Sequence, residues 1–184
     1  ATIRKTFTDR KDFTDNADLR VNYQSTRLPS VDGDITKLDF TEGKNLALIT
    51  NPVDTTVVFD EAAGAVKLTA GSIGDVSVTI PYGSNPTPLS AESYKTLKIE
   101  YMIPKENASA SYQSDLFLCA GGINAPDGNA RIRVNLTKDG EYHTLEVDLS
   151  KNAYWTGDIH MIRFDYFDFS SAGDVMYIKS ISLE

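Results

Sequence analysis

Among 184 residues the chain has one cysteine, Cys119. A lone thiol excludes an internal disulfide and any metal site built on several cysteines. Its neighbours Leu116, Phe117, Leu118 and Ala120 make it a small buried hydrophobe. Long hydrophobic runs are missing as well: no stretch approaches the ~18 apolar residues that a membrane-spanning helix needs, so membrane insertion is not expected. No basic-then-apolar leader opens the sequence, and a start at Ala1 without Met leaves room for a removed signal or a neighbouring domain. Positive charge is scarce, with 18 Lys and Arg against 26 Asp and Glu and a net charge of -8. Nucleic-acid binding is driven by Lys and Arg releasing counterions from phosphates, so a nucleic-acid partner is excluded and an anionic membrane surface disfavoured. A neutral partner is the least restricted by this field.

Catalytic groupings are scarce too. The two histidines, His143 and His160, fall in strand-like segments outside any nucleophile motif. There is no Gly-rich phosphate loop and no triad of His and carboxylates. Glu100, Glu146, Asp148 and Asp165 could supply a glycosidase-like carboxylate pair, but 26 acidic residues generate such pairs by chance. The expectation is a protein that is not an enzyme.

What is present is alternation. Apolar residues make up 41% and charged residues 24%, enough for a folded domain that buries roughly 70% of its unfolded surface. Period-two segments rich in Val, Ile, Thr, Phe and Tyr predict strands over 35-40, 56-60, 65-70, 75-81, 96-103, 115-120, 130-136, 143-149, 159-166 and 175-183. A short one is possible over Leu46 to Thr50. Ala63-Gly64, Lys138-Asp139-Gly140 and Ala172-Gly173-Asp174 carry the turn chemistry between them. No apolar stripe of period 3.6 appears beyond one turn's worth at Ser90 to Lys95. Strands at this spacing without helices predict an all-β fold, a two-sheet antiparallel β-sandwich or jelly roll. Residues 1 to 34 differ: Asp9, Arg10, Lys11, Asp12, Asp15, Asp18 and Arg20 crowd a segment whose apolar face is Phe7, Phe13, Leu19, Val21 and Tyr23. It reads as a linker or an arm along a sheet edge, leaving 35 to 184 as the sandwich domain.

Residues two apart share a face. Leu97, Ile99, Tyr101, Ile103, Ile132, Val134, Leu136, Leu145, Val147, Leu149, Ile162 and Phe164 therefore point to the core. Lys98, Glu100, Arg131, Arg133, Asn135, Thr144, Glu146, Asp148, Arg163 and Asp165 point away from it. Such a polar face can hold sugar hydroxyls through charge-assisted hydrogen bonds, with Arg133 and Arg163 as donors, or can be a lattice of ion pairs that keeps the sheet soluble. Alternate loops of an up-and-down run emerge at one end, which groups loops 82-95, 121-129 and 150-158. That end carries Tyr82, Asn124, Asp127, Asn129, Tyr154 and Trp155. Flat rings beside amides and a carboxylate suit a pyranose, whose C–H face packs on a ring while its hydroxyls bond around the edge.

The C-terminal residues Trp155-Thr156-Gly157-Asp158-Ile159, Ile162-Arg163-Phe164-Asp165 and Gly173-Asp174-Val175-Met176-Tyr177-Ile178-Lys179-Ser180-Ile181-Ser182-Leu183 resemble the last two strands of bacterial jelly-roll modules of the galactose-binding-like superfamily. Leu38-Asp39-Phe40-Thr41-Glu42-Gly43 is similar to their first strand, so the resemblance spans about residues 35 to 184. Tyr166 stands where that pattern has Pro. The resemblance implies a non-catalytic carbohydrate-binding module, extracellular or on a bacterial cell surface. Such a module targets an associated enzyme or surface protein, within a larger multidomain protein, to a polysaccharide or oligosaccharide. It also implies that Trp155 packs the end of the sandwich, which leaves Tyr154 the freer ring, and that Asp39, Glu42 and Asp174 are positioned for a structural calcium (Ca2+), a cation that takes six or more oxygens. Function argued from fold is an analogy, and a structural or protein-interaction domain of a larger surface protein is the alternative.

Overall fold

The computed structural model describes residues 34-71, 74-109 and 112-184. The expected N-terminal arm or linker, residues 1 to 34, lies outside the described residues except for Asp34. Eleven strands are described: β1 (Lys37–Asp39), β2 (Thr50–Val53), β3 (Thr55–Asp60), β4 (Ala65–Ala70), β5 (Val76–Ile80), β6 (Thr96–Met102), β7 (Tyr112–Ala120), β8 (Arg131–Leu136), β9 (Tyr142–Asp148), β10 (Ile159–Phe167) and β11 (Val175–Leu183). They form two antiparallel sheets. One runs β3-β4-β11-β6-β9, with β1 also paired to β11; the other runs β2-β5-β10-β7-β8. All ten expected strands are present, and Ser90 to Lys95 is a single 3-10 turn at Ala91–Ser93.

The side chains between the sheets make one core, with Leu38, Phe40, Leu68, Val78, Leu97, Ile99, Leu116, Ile162, Phe164 and Ile178 all within a few per cent of complete burial. Ile132, Val134, Leu136 and Leu145 point inward as expected but are only partly buried. They sit on β8 and β9, the edge strands of the two sheets, where a side chain has neighbours on one flank only.

Two expectations need correction. Leu46 to Thr50 is not a strand: Leu46–Leu48 is a 3-10 turn, and the extended segment begins at Thr50. Asn51 and Asp54 bracket its end with left-handed backbones, φ 46° and 45°, which breaks the period-two pattern. The outward polar residues also do not share one face. Lys98, Glu100, Thr144, Glu146 and Asp148 cover the outside of the six-stranded sheet, whereas Arg131, Arg133, Asn135, Arg163 and Asp165 cover the outside of the five-stranded one. Tyr166 extends β10 by lying inside it, fully buried, with its hydroxyl 3.1 Å from Thr55 Oγ1, beside a register shift between Phe164 and Phe167.

Candidate functional site

The pairings from β2 to β11 fit a chain that alternates in direction from strand to strand, whereas β1, antiparallel to β11, breaks the alternation; loops 82-95, 121-129 and 150-158 meet at one end. There Ser90 pairs with Asp158, Ala91 N donates to Gly157 O (2.8 Å), Gly157 N to Glu92 Oε1 (2.9 Å), Gly121 N to Asp158 O (2.9 Å) and Asn152 Nδ2 to Asn129 O (3.2 Å). These bonds sew the loops into a cap. Tyr82 is completely buried and its phenol is pushed to a higher pKa by that burial, so it offers no surface to a ligand. Trp155 is 5% exposed, and its Nε1 donates to Tyr94 O at 2.7 Å; it packs the end of the sandwich. Asp127 accepts from Asn129 N (2.8 Å) and caps its own turn. Asn124 and Asn129 are exposed, and Tyr154, 45% exposed, is the one well-exposed ring of this end among the described residues.

The outside of the five-stranded sheet is built differently. Strand register places Thr79, Arg163, Phe117 and Arg131 side by side across β5, β10, β7 and β8. The neighbouring row is Asp165, Asp115 and Arg133. The Arg163 guanidinium lies 5.6 Å from the centre of the partly exposed Phe117 ring, a cation–π contact. Arg163 Nε and a terminal nitrogen bond both oxygens of Asp165 (2.6 and 3.0 Å), and the terminal nitrogen also reaches Asp75 (2.6 Å). Arg133 grips Asp115 with two 2.8 Å bonds and reaches Asp168 at 3.0 Å, while Arg131 adds a 3.2 Å contact to Asp115. A depression of about 400 Å³ opens here, lined by Asp75, Phe117, Pro126, Arg131, Arg163 and Asp165.

The two adjacent carboxylates differ in state. Asp115 is buried, but the Arg133 hydrogen bonds outweigh the cost of desolvation and hold its carboxyl below the usual range. For Asp165 burial wins: despite Arg163, desolvation pushes it up to about 6, with the Asp75 charge adding to the rise. The sequence pattern found Arg133, Arg163 and Asp165 but missed Phe117, Asp115, Asp75 and Asp168. Leu116, Phe117, Leu118, Cys119 and Ala120 form an unbroken apolar run, so nothing within that run marks Phe117 as the ring that looks outward.

The three expected calcium ligands do not meet. Asp39 Oδ1 accepts from Thr41 N (2.8 Å) and Thr41 Oγ1 (2.7 Å), and Glu42 pairs with Lys44 at 2.7 Å. Asp174 lies six residues along from Ser180, the register partner of Asp39, a separation of about 20 Å at 3.3 Å per residue. Its buried carboxylate is already held by Ala108 N (2.8 Å), Ser109 Oγ, Tyr112 Oη (3.0 Å) and Ser171 N (2.9 Å). Burial opposes its ionisation, and these donors overcome it and keep the carboxyl below the usual range. In the same loop cluster Lys138 Nζ donates to the carbonyls of Asn107 (3.0 Å) and Ser109 (2.7 Å), supplying the positive charge from the chain itself. Among the described residues no cluster of three or more His, Cys, Asp and Glu is arranged to hold a metal ion, and no helix is long and apolar enough to cross a membrane.

No protein-family model matches the chain, and no curated protein matches it by sequence. Solved structures match by shape. A variant of CBM29-2, a family 29 carbohydrate-binding module, superposes with a TM-score of 0.51 at 14% identity, over 80% of this chain and 89% of that one. Another family 29 carbohydrate-binding module gives 0.50 at 12% identity, over 80% and 85%. A low-affinity xylan-binding module, CBM86 from Roseburia intestinalis, gives 0.49 at 12% identity, over 74% and 86%. At these identities the likeness to the two family 29 modules establishes the fold alone: the chain is a jelly-roll sandwich of the kind that those modules have.

Proposed function

We propose that this domain is a non-catalytic carbohydrate-binding module that holds a neutral polysaccharide on the outer face of its five-stranded sheet, and thereby targets an associated enzyme or surface protein. The observation that carries this reading is the row Arg163, Phe117 and Arg131, closed on β5 by the buried Thr79 and backed by the ion-paired Asp115 and Asp165. A ring supplies the flat apolar contact for a sugar face, and pre-oriented guanidinium and carboxylate groups supply donors and acceptors for hydroxyls around it. Because each arginine is already matched by carboxylates, the site has no excess positive charge with which to select a uronate or a phosphate. The bidentate grip of Arg133 on Asp115 and of Arg163 on Asp165 occupies the oxygens that a glycosidase would use for acid and base work, which supports the non-catalytic reading. The jelly-roll fold, shared with proteins described as carbohydrate-binding modules, agrees with it. Polysaccharide outside the cell is the ligand in view, which places the domain in the extracellular space or at a cell surface.

A protein-docking role would call for a contiguous apolar patch of several hundred Å². The large exposed hydrophobics among the described residues, Val53, Val58, Tyr154 and Phe169, sit on separate elements. Calorimetric titration with cellohexaose, xylohexaose and mannohexaose tests the proposal. Binding to at least one is expected, with Phe117→Ala weakening it by about 1 kcal/mol or more, the scale of one aromatic contact. No heat with any of the three at millimolar ligand would remove the reading.

A further inference from the structure

The outside of the six-stranded sheet carries a feature that solubility does not require. Most of its outward positions are charged or hydroxylated: Lys98, Glu100, Thr144, Glu146, Ser180 and Ser182. One line across it adds two aromatic rings and a methionine. Register places Tyr142 beside Met102, Met102 beside Tyr177, and Tyr177 beside Lys67, crossing β9, β6, β11 and β4 in a row perpendicular to the strands. We infer that this row is a second glycan-contact site, so that the module engages neutral polysaccharide on both sheet faces; the inference rests on the carbohydrate-binding reading above.

The two rings stand two strand spacings apart, about 10 Å, so that separate sugar units of one extended chain can each meet a ring. Hydrogen-bonding groups flank them. Tyr177 Oη lies 3.5 Å from Asp60 Oδ2, Lys67 Nζ lies 5.9 Å from the Tyr177 ring centre, and Glu100 stands in the next row. Shallow depressions adjoin the row on its two sides. One of about 410 Å³ includes Asp39, Glu100 and Lys179, and one of about 320 Å³ includes Lys67, Glu106 and Tyr177. Asp60, Glu100 and Glu106 beside the phenols repel a polyanion, and the lysines among them repel a polycation, which leaves a neutral, hydroxyl-rich chain as the matching ligand.

A second observation points the same way. Tyr142 Oη is shielded from solvent without a hydrogen-bond partner, and Lys179 Nζ sits 3.7 Å from the centre of its ring. A lysine tail is flexible and its ammonium favours water. A sugar that displaces it gains the ring face and gives the orphaned hydroxyl its partner.

The experiment is a calorimetric titration with whichever of cellohexaose, xylohexaose and mannohexaose the native domain binds, read for stoichiometry, with backbone amide shifts followed by NMR in the same titration. Two equivalents per domain are expected. The variant Tyr142→Ala/Tyr177→Ala should fall to one, with the affinity of the remaining site unchanged, and Phe117→Ala should spare the site that the double variant loses. Should the double variant fail to fold, the native domain's shifts decide: amides of Met102, Tyr142 and Tyr177 must move on ligand addition. A stoichiometry of one that Phe117→Ala abolishes, with those three amides still, overturns this inference and leaves the carbohydrate-binding reading standing. No binding to any hexasaccharide overturns both.

Discussion

Asp115 and Asp165 are register neighbours on β7 and β10, and their opposite responses to burial make them separable by pH. The folded value of Asp165, about 6, exceeds the ~3.9 of an unfolded aspartate. The fold therefore favours its neutral form: the contribution to stability is complete below about pH 4 and is lost as pH rises through about 6. Asp165→Asn removes the titration, so its stability relative to the native domain should improve by roughly 2 kcal/mol between pH 4 and pH 7. Urea unfolding at the two pH values measures this, and an equal difference at both contradicts it. Asp115 has the reverse sign, its contribution being present above the unfolded value and lost as pH falls. Arg133→Ala leaves that buried carboxylate with Arg131 alone at 3.2 Å, which should cost about 1 to 3 kcal/mol at pH 7. Protonation of Asp115 relieves the defect, so the gap between variant and native domain should narrow as the pH is taken below about 4. A gap independent of pH would mean that Arg133 matters only for packing.

At the scale of elements, the capped end depends on glycines that let two loops touch. Gly121 has φ +55°, and a Cβ there would come 2.6 Å from the backbone oxygen of Thr156. Gly121→Ala should therefore destabilise by about 1 to 3 kcal/mol. The amide that bonds Asp158 O should exchange faster, while the protection of β4 and β11 stays as it was; unchanged exchange at residue 121 contradicts this account of the cap. Which elements were legible follows from how they are wetted. β6, β8 and β9 each have one outward polar side, so Lys98 and Glu100, Arg131 and Arg133, or Glu146 and Asp148 announce the alternation. β5 is buried on both sides and its strand is readable from Val76-Ser77-Val78-Thr79-Ile80 composition alone, without the facing. β2 was invisible because Asn51 is left-handed and Pro52 and Val53 are exposed. The loop-end site failed for a related reason: a sequence shows that Tyr82 and Trp155 lie in loops, but not that both rings turn inward. Phe117 is the converse, a ring inside an apolar run that the register of β7 between β10 and β8 turns outward between two arginines.

For the molecule as a whole, the net charge of -8 and the matched Arg and Asp of the five-stranded face agree on an uncharged ligand. Binding should accordingly change little between low and physiological salt, because no counterions are released. A steep salt dependence in the same titration would indicate a charged glycan. Tyr154, the exposed ring of the capped end, is the control: Tyr154→Ala should leave both stability and glycan affinity within the small range typical of surface substitutions. A loss as large as that from Phe117→Ala would return the site to the loops. The most direct test of the central claim is an NMR titration of the native domain with the hexasaccharide it binds, mapping which backbone amides move. The account predicts shifts at Thr79, Phe117, Arg131 and Arg163 that saturate together; movement confined to Asn124, Asn129 and Tyr154, with those four amides still, would contradict it.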